Sequence, residues 1–364
     1  LIREATHLRE GTKPALHPIT SKGLPAFPNG WYAIGFSDDL PNGGVLRRHF
    51  MGQEIVAFRT QSGQVSVIDA YCPHLGAHLG YGSSVVGEAI RCSFHHFTFD
   101  TNGTCVSTGY GTKPPPKATI RTWEVRESHG ILLVWYHAEG QPPSWEVPAL
   151  ATEDYLPLLH REWTLRSHPQ ETTENSVDLG HLSVVHGYKD VEIRSDLVTE
   201  GPYLNVRYAM LRLLRVLGRT ILSTRAEFEL HIYGLGYSLV DVTVQPYGIQ
   251  TRLFVLPCPT DAESITLRIA TSTCHIVEPG KVHPLLRIIP KVLARPVLNY
   301  ILGKAALAGL AHDVAQDFEI WQHKVYFSPP ILAEGDGPVG RYRYWARQFY
   351  SGDIDVPALH GDPR

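Results

Sequence analysis

A chain of 364 residues carrying 33 Lys plus Arg against 36 Asp plus Glu is close to charge balance, which leaves no electrostatic footprint for a nucleic-acid partner. Its length fits two domains, each large enough to bury a core without disulfide staples. Five cysteines is an odd count, and Cys72 and Cys92 sit beside histidines, a pattern that suits metal better than disulfide pairing and implies a reducing, cytoplasmic compartment.

Residues 1–30 form an N-terminal arm with no apolar run long enough for a signal peptide or a membrane span. From residue 31 onward come short β-branched and aromatic runs, at 31–36, 45–50, 53–59, 64–69 and 131–136. Asn42-Gly43, Ser62-Gly63 and Asn102-Gly103 have the spacing of hairpin turns, so this part reads as all-β. Residues 138–150 are rich in Pro and Gly and lack periodicity, which makes them the linker and places the boundary between domains 31–150 and 151–364. Beyond it, strands are predicted at 238–245, 251–257 and 264–276, and helical stretches near 170–186 and 283–325, so the second domain is α+β. Arg287, Lys291 and Arg295 recur every four residues and predict a basic stripe on one helix face. An ordinary helix capping the core is the plainer reading of that stripe, docking on a membrane surface the other. Pro290 and Pro296 are expected to break or kink this helix.

Two groups of residues carry chemistry. The first reads Cys72-x-His74, seventeen residues, then Cys92-x-x-His95. Two thiolates on one iron and two imidazoles on the other make a Rieske [2Fe-2S] cluster, whose neutral imidazoles raise the potential to roughly −150 to +300 mV. Each arm lies between strand-like runs, with Gly76, Gly80 and Gly82 available for close approach of backbone amides to the sulfurs. Tetrahedral zinc could use the same four ligands, but zinc fingers pair Cys with Cys and His with His, whereas each arm here supplies one of each. His78 and His96 fall outside the spacing and read as local hydrogen-bonding or surface residues; Cys105, Cys258 and Cys274 read as small core residues.

The second group lies in 171–190, where Glu174, Asn175, Asp178, His181 and His186 cluster. Two histidines and a carboxylate are the ingredients of a facial triad that leaves one side of ferrous iron open to oxygen and substrate. Asp178 and His181 share a helix face, but a regular helix turns His186 roughly 140° away from His181. An irregularity is therefore predicted between Leu182 and Gly187, either a helix end capped by Gly187 or a π-type turn.

With both groups in one chain, the sequence resembles the Rieske non-haem iron oxygenases from Trp31 to Tyr350. It departs from the usual form at Ser93 and His96, where proline and glycine are common. The resemblance implies an all-β Rieske domain followed by a catalytic domain with a large antiparallel sheet covered by helices. It further implies that His181 and His186 hold a mononuclear Fe(II) and that the third ligand comes from 315–324, with Asp317 the choice and Asp313, one turn earlier, the runner-up. Asp178 would bridge His181 to a cluster histidine of a neighbouring subunit, His74 or His95, with Asn175 beside the iron, which requires a ring, most simply a homotrimer. Electrons would come from NAD(P)H through a flavin or iron-sulfur reductase or a ferredoxin.

Residues 317–350 resemble the branch of 3-ketosteroid 9α-hydroxylase oxygenases and cholesterol 7-desaturases, which implies a monooxygenase using O2 on a bulky apolar substrate such as a steroid. The same residues could instead pack a C-terminal helix and record ancestry alone. Three readings follow: a steroid-type hydroxylase, a desaturase or oxidative cyclase on another apolar substrate, and a cluster-only electron carrier, the weakest because it has no use for a second iron.

Overall fold

The computed structural model describes residues 20–352 apart from 22, 217–218, 245–248, 275–279, 281–287 and 289. The chain opens with β1 (Gly30–Phe36), β2 (Val45–Phe50), β3 (Gln53–Arg59) and β4 (Val65–Asp69). Four short strands follow, β5 (Ser84–Val86), β6 (Ala89–Arg91), β7 (Thr98–Asp100) and β8 (Cys105–Ser107), and then β9 (Thr122–Trp123), β10 (Val125–Ser128) and β11 (Ile131–Tyr136). They form three antiparallel sheets, ordered β1-β11-β10, β2-β3-β4-β9 and β5-β6-β7-β8. Ser62-Gly63 joins β3 to β4 and Asn102-Gly103 joins β7 to β8, as hairpin turns should. Asn42-Gly43 is no hairpin: it leads from β1 into β2, which belong to different sheets.

The unbroken apolar runs of β1 and β11 have a physical reason, since side chains alternate between two buried faces. Tyr32, Ile34, Leu132 and Val134 join the core of the N-terminal half. Trp31, Ala33, Leu133 and Trp135 pack instead on Tyr237, Leu239, Phe254 and Leu256 of the C-terminal half.

That second half contains β12 (Leu159–Arg166), α1 (Pro169–Glu174), α2 (Leu179–Val184), β13 (Lys189–Ile193), β14 (Val198–Glu200), β15 (Tyr203–Val216) and β16 (Arg219–Tyr233). β17 (Tyr237–Val244), β18 (Ile249–Pro259), β19 (Ser264–Thr273), α3 (Lys291–Ala315), α4 (Phe318–His323) and α5 (Val339–Ala346) complete it. Its sheet is eight-stranded and antiparallel, ordered β12-β19-β18-β17-β16-β15-β13 with β14 paired to β15. The strands expected at 238–245, 251–257 and 264–276 are β17, β18 and β19, and the two helical stretches each divide, into α1 with α2 and α3 with α4.

α3 packs Leu307, Leu310, Ala311 and Val314 against Leu165, Ile265, Leu267 and Ile269 of the sheet. Each fully buried Leu or Ile there contributes roughly 1.5–3 kcal/mol. Pro290 caps the start of α3, but Pro296 does not end it. One proline removes a single i→i−4 hydrogen bond, which the packing downstream outweighs. Of the basic stripe, Arg287 and the side chains of Lys291 and Arg295 lie outside the described residues. Among the described residues no helix is long and apolar enough to cross a membrane.

Candidate metal centres

Two loops of the same design carry these residues, one between β4 and β5 and one between β6 and β7. Cys72 N–H donates to the Ala77 carbonyl and Gly76 N–H to the Cys72 carbonyl, at 2.8 and 2.9 Å. The second loop repeats this register: Cys92 N–H donates to Phe97 and His96 N–H to Cys92, at 2.9 and 3.2 Å. Both loops turn on a residue in left-handed conformation, Gly76 at φ 75° and His96 at φ 56°. His96 thus performs the turn that glycine performs in the other arm, at a backbone cost of about 1 kcal/mol. The sequence departure at this position is a local strain and not a change of donor.

The Cys72 and Cys92 thiols are buried hydrogen-bonding neighbours, and burial pushes Cys72 up to about 11. The His74 and His95 rings lie 4.8 Å apart and nearly perpendicular. His74 stacks on Phe97 at 4.2 Å, and His95 presents a buried Nδ1 with no hydrogen-bond partner. A buried pair of neighbouring thiols together with an orphaned imidazole nitrogen is a donor set that metal completes. Each loop supplies one thiol and one imidazole, which together make the two-thiolate, two-imidazole set of a [2Fe-2S] cluster. They suit a binuclear cluster better than zinc.

His78 is local, as its position outside the spacing implies: its Nδ1 accepts from Gly80 N–H at 2.9 Å and its Nε2 faces Glu54 at 3.4 Å. Gly80 answers to crowding by the Arg47 side chain and the His78 ring, not to the sulfurs. Cys105 and Cys258 are buried, while Cys274 is only partly so, accepting from Gln250 N–H at 3.3 Å where the β18–β19 ladder ends.

The second group assembles where α2 meets the end of α3. α2 stops at Val184, and Gly187 at φ 68° turns the chain while Tyr188 N–H reaches back to the Leu182 carbonyl at 3.1 Å. Of the two irregularities open from sequence, the helix end is the one present. It swings His186 back, so that His181 Nε2 and His186 Nε2 stand 2.8 Å apart. Asp317, in the break between α3 and α4, brings Oδ1 to 3.3 Å from His181 Nε2 and Oδ2 to 3.8 Å from His186 Nε2. The three side chains are only 8, 9 and 4% exposed. Burial, then His186, depresses His181 to about 4, and burial pushes Asp317 up to about 7 against a hydrogen bond from Asn175. Two imidazole nitrogens facing each other beside a carboxylate oxygen that lacks a hydrogen bond form a cation site, and His181, His186 and Asp317 could hold a metal ion.

The remaining residues divide around this triad. Asn175 Nδ2 lies 3.3 Å from His181 Nε2. Asp313 faces elsewhere and accepts from the Tyr188 hydroxyl at 2.7 Å, outside the metal-binding group. Asp178 caps α2, its Oδ1 accepting the His181 N–H at 3.0 Å, and burial raises its carboxyl above the usual range. Glu174 is engaged by Arg343, at 2.6 and 2.8 Å, and by Lys324 at 3.7 Å, tying α1 to α5 and to the end of α4. A contact that sequence reasoning missed is Gln316, whose Oε1 lies 2.8 Å from His186 Nδ1; its place beside Asp317 was the available signal.

Asp38, Asp39 and His160 also converge, but there Asp39 already accepts from Phe36 N–H and faces Arg48, an ordinary surface ion-pair cluster. Clefts of about 660 and 400 Å³ lie apart from the triad, the first between β2 and the β12–β19 edge of the large sheet.

Comparison with known proteins fits both centres. The Rieske [2Fe-2S] domain model matches residues 30–123, and the model of the 3-ketosteroid 9α-hydroxylase C-terminal domain matches 134–350. Cholesterol 7-desaturase nvd of Bombyx mori is 32% identical over 91% of this chain and 71% of its own length. The oxygenase component of 3-ketosteroid-9-alpha-monooxygenase from Rhodococcus rhodochrous is 29% identical over 91% of this chain and 84% of its own. Its name marks it as one component of a multi-component monooxygenase. In fold, the chain is similar to dicamba monooxygenase bound to dicamba, with TM-score 0.62 at 17% identity, covering 88% of this chain and 97% of that one. It is also similar to Pseudomonas putida CBB5 NdmA with caffeine, with TM-score 0.65 at 14% identity, covering 87% and 89%. The chain belongs to the Rieske non-haem iron oxygenases, enzymes whose cofactors are a [2Fe-2S] cluster and a mononuclear iron, in the branch with the 3-ketosteroid 9α-hydroxylase C-terminal domain.

Proposed function

We propose that this enzyme hydroxylates an unactivated C–H bond of a bulky apolar, steroid-like substrate. The observation that carries the reading is the match of 134–350 to the 3-ketosteroid 9α-hydroxylase domain, with the His181–His186–Asp317 group inside that stretch. Relatives named as 7-desaturases favour a second reading, desaturation or oxidative cyclisation of a similar molecule. The 317–350 stretch adds less than its resemblance promised. Trp321, Trp345, Phe349 and Tyr350 are buried packing residues, and the Tyr350 hydroxyl bonds Gln170 Oε1 at 2.7 Å. Their burial supports packing over substrate contact.

In this proposal Cys72 and Cys92 would hold one iron of the cluster and His74 and His95 the other, while His181, His186 and Asp317 would hold the mononuclear iron. With Fe(II) bound, the second centre supplies activation of dioxygen at its open face. The chain's own residues set the surroundings. The three ligands are nearly sealed from water, and Asn175 bridges His181 and Asp317. Leu179, Leu182 and Tyr188 join the apolar core against the sheet. A dry, apolar setting suits a substrate with few polar handles.

Asp178 would link His181 to a cluster histidine of a neighbouring subunit and so serve the electron path, and Asn175 would sit beside the iron. The homotrimer this requires is supported by apolar surface at both ends of the path. Leu75, Phe94 and Tyr110 are more than half exposed around His74 and His95, and Val184, at the end of the helix that carries His181, is more exposed still. Electrons come from NAD(P)H through a flavin or iron-sulfur reductase or a ferredoxin. The free cysteines support a reducing, cytoplasmic setting, and the stretch from Tyr136 to Leu159, without strand or helix, supports a boundary near residue 150.

The test is a single turnover of reduced enzyme with a panel of steroids and other apolar metabolites under ¹⁸O2, read by mass spectrometry. A steroid gaining one labelled oxygen supports hydroxylation. A product that loses two hydrogens and gains no label replaces it with desaturation or cyclisation.

A further inference from the structure

A histidine that binds metal through one ring nitrogen has to carry its proton on the other, and something must hold it there. His186 turns Nε2 toward His181 and Asp317, and its Nδ1 lies 2.8 Å from Gln316 Oε1. An amide oxygen only accepts hydrogen bonds, so this contact fixes the proton on Nδ1 and leaves the Nε2 lone pair facing the triad. The amide's orientation is itself set. Its Nε2 can only donate, and it lies 3.4 Å from His312 Nε2, one helical turn earlier. Gln316 is also the C-cap of α3, its backbone N–H shared between the Asp313 and Val314 carbonyls, and Asp317 is the next residue.

We propose that Gln316 is a positioning residue for the mononuclear iron, its side-chain oxygen fixing the tautomer and ring direction of His186. One helix end thereby delivers a ligand directly, through Asp317, and orients a second that lies 130 residues earlier in the chain. Asn175 addresses the Nε2 side of His181, and the Tyr188 hydroxyl is spent on Asp313. The inference rests on the reading of His181, His186 and Asp317 as iron ligands.

The test is anaerobic Fe(II) titration of enzyme depleted of mononuclear iron, with the cluster retained and checked by its absorption. Affinity and the near-infrared magnetic circular dichroism of the bound Fe(II) are compared across variants. Gln316→Met keeps the length and shape but loses the acceptor, and is expected to bind Fe(II) about 10- to 100-fold more weakly with shifted ligand-field bands. Gln316→Glu keeps an acceptor oxygen and is expected to restore both. A Met variant that matches wild type in affinity and bands overturns the proposal, as does equal loss in the Met and Glu variants, which assigns packing alone. His186→Ala separates the two levels: if it binds Fe(II) like wild type, the iron-site reading itself has failed.

Discussion

Replacing Asp178 with asparagine should separate a bridge from a ligand and from a helix cap. Asp178 Oδ1 accepts the His181 N–H at 3.0 Å and is the N-cap of α2, the helix that carries the first imidazole. Asparagine caps about as well as aspartate, whereas alanine forfeits about 1 kcal/mol. Asp178→Asn should therefore melt within a degree or so of wild type, and Asp178→Ala should fall by roughly 2–4 °C. Neither change removes a donor from the His181, His186 and Asp317 group, so iron and sulfide content should not change. Loss of the carboxylate proposed as the bridge should act on the rate. We expect cluster oxidation after mixing reduced enzyme with O2 and substrate to slow by at least about 100-fold, roughly 2.7 kcal/mol of barrier. Stopped-flow absorption of the cluster reads this rate, and metal analysis of the same sample reads the sites. Loss of mononuclear iron from the Asn variant would make Asp178 a ligand, and transfer at the wild-type rate would remove it from the electron path; either result refutes the reasoning.

The paired cluster loops give a backbone test: Gly76→Ala should cost about 1–2 kcal/mol from its φ of 75° alone, since open space surrounds the added Cβ, while His96→Gly should be close to neutral in thermal melts. The buried Arg343–Glu174 pair predicts that Arg343→Ala loses less than the roughly 3–5 kcal/mol of a fully stranded carboxylate, because Lys324 remains 3.7 Å from Glu174, and that adding Glu174→Gln recovers part of the loss in denaturant titrations. His129 accepts the Leu150 N–H on Nε2, and burial lowers its pKa from 6.5. The unfolded chain thus takes up this proton first as pH falls, so the contribution is complete above about 6.5 and declines below it. Melting curves of wild type and His129→Asn between pH 5 and 7 should diverge in slope, and parallel slopes would rule out His129 as the cause. Light scattering should give a trimer mass for the purified enzyme; a monomer would leave the Asp178 path without a neighbour.

Both metal centres were legible in the sequence to the extent that their ligands are close along the chain. Cys72-x-His74 and Cys92-x-x-His95 each fit in one tight loop, so spacing alone fixes which side chains can converge, and the same holds for His181 and His186 once a helix end is allowed. Hidden was whatever depends on contacts distant in sequence. Asp313 and Asp317 differ by one helical turn and are equivalent in pattern; only the packing of α3 on β12 and β19 turns Asp317 to the histidines and leaves Asp313 to Tyr188. The same holds for Gln316, whose partner lies on another element. Among the strands, β1, β11 and β17 to β19 were visible because β-branched and aromatic residues fill them. β15 was not, for its run of Leu, Met, Ala and Arg suits a helix locally and becomes a strand by pairing with β13, β14 and β16. Local chemistry thus determined which atoms could bind iron, and the sheet, through pairings that no local propensity encodes, decided which of them meet.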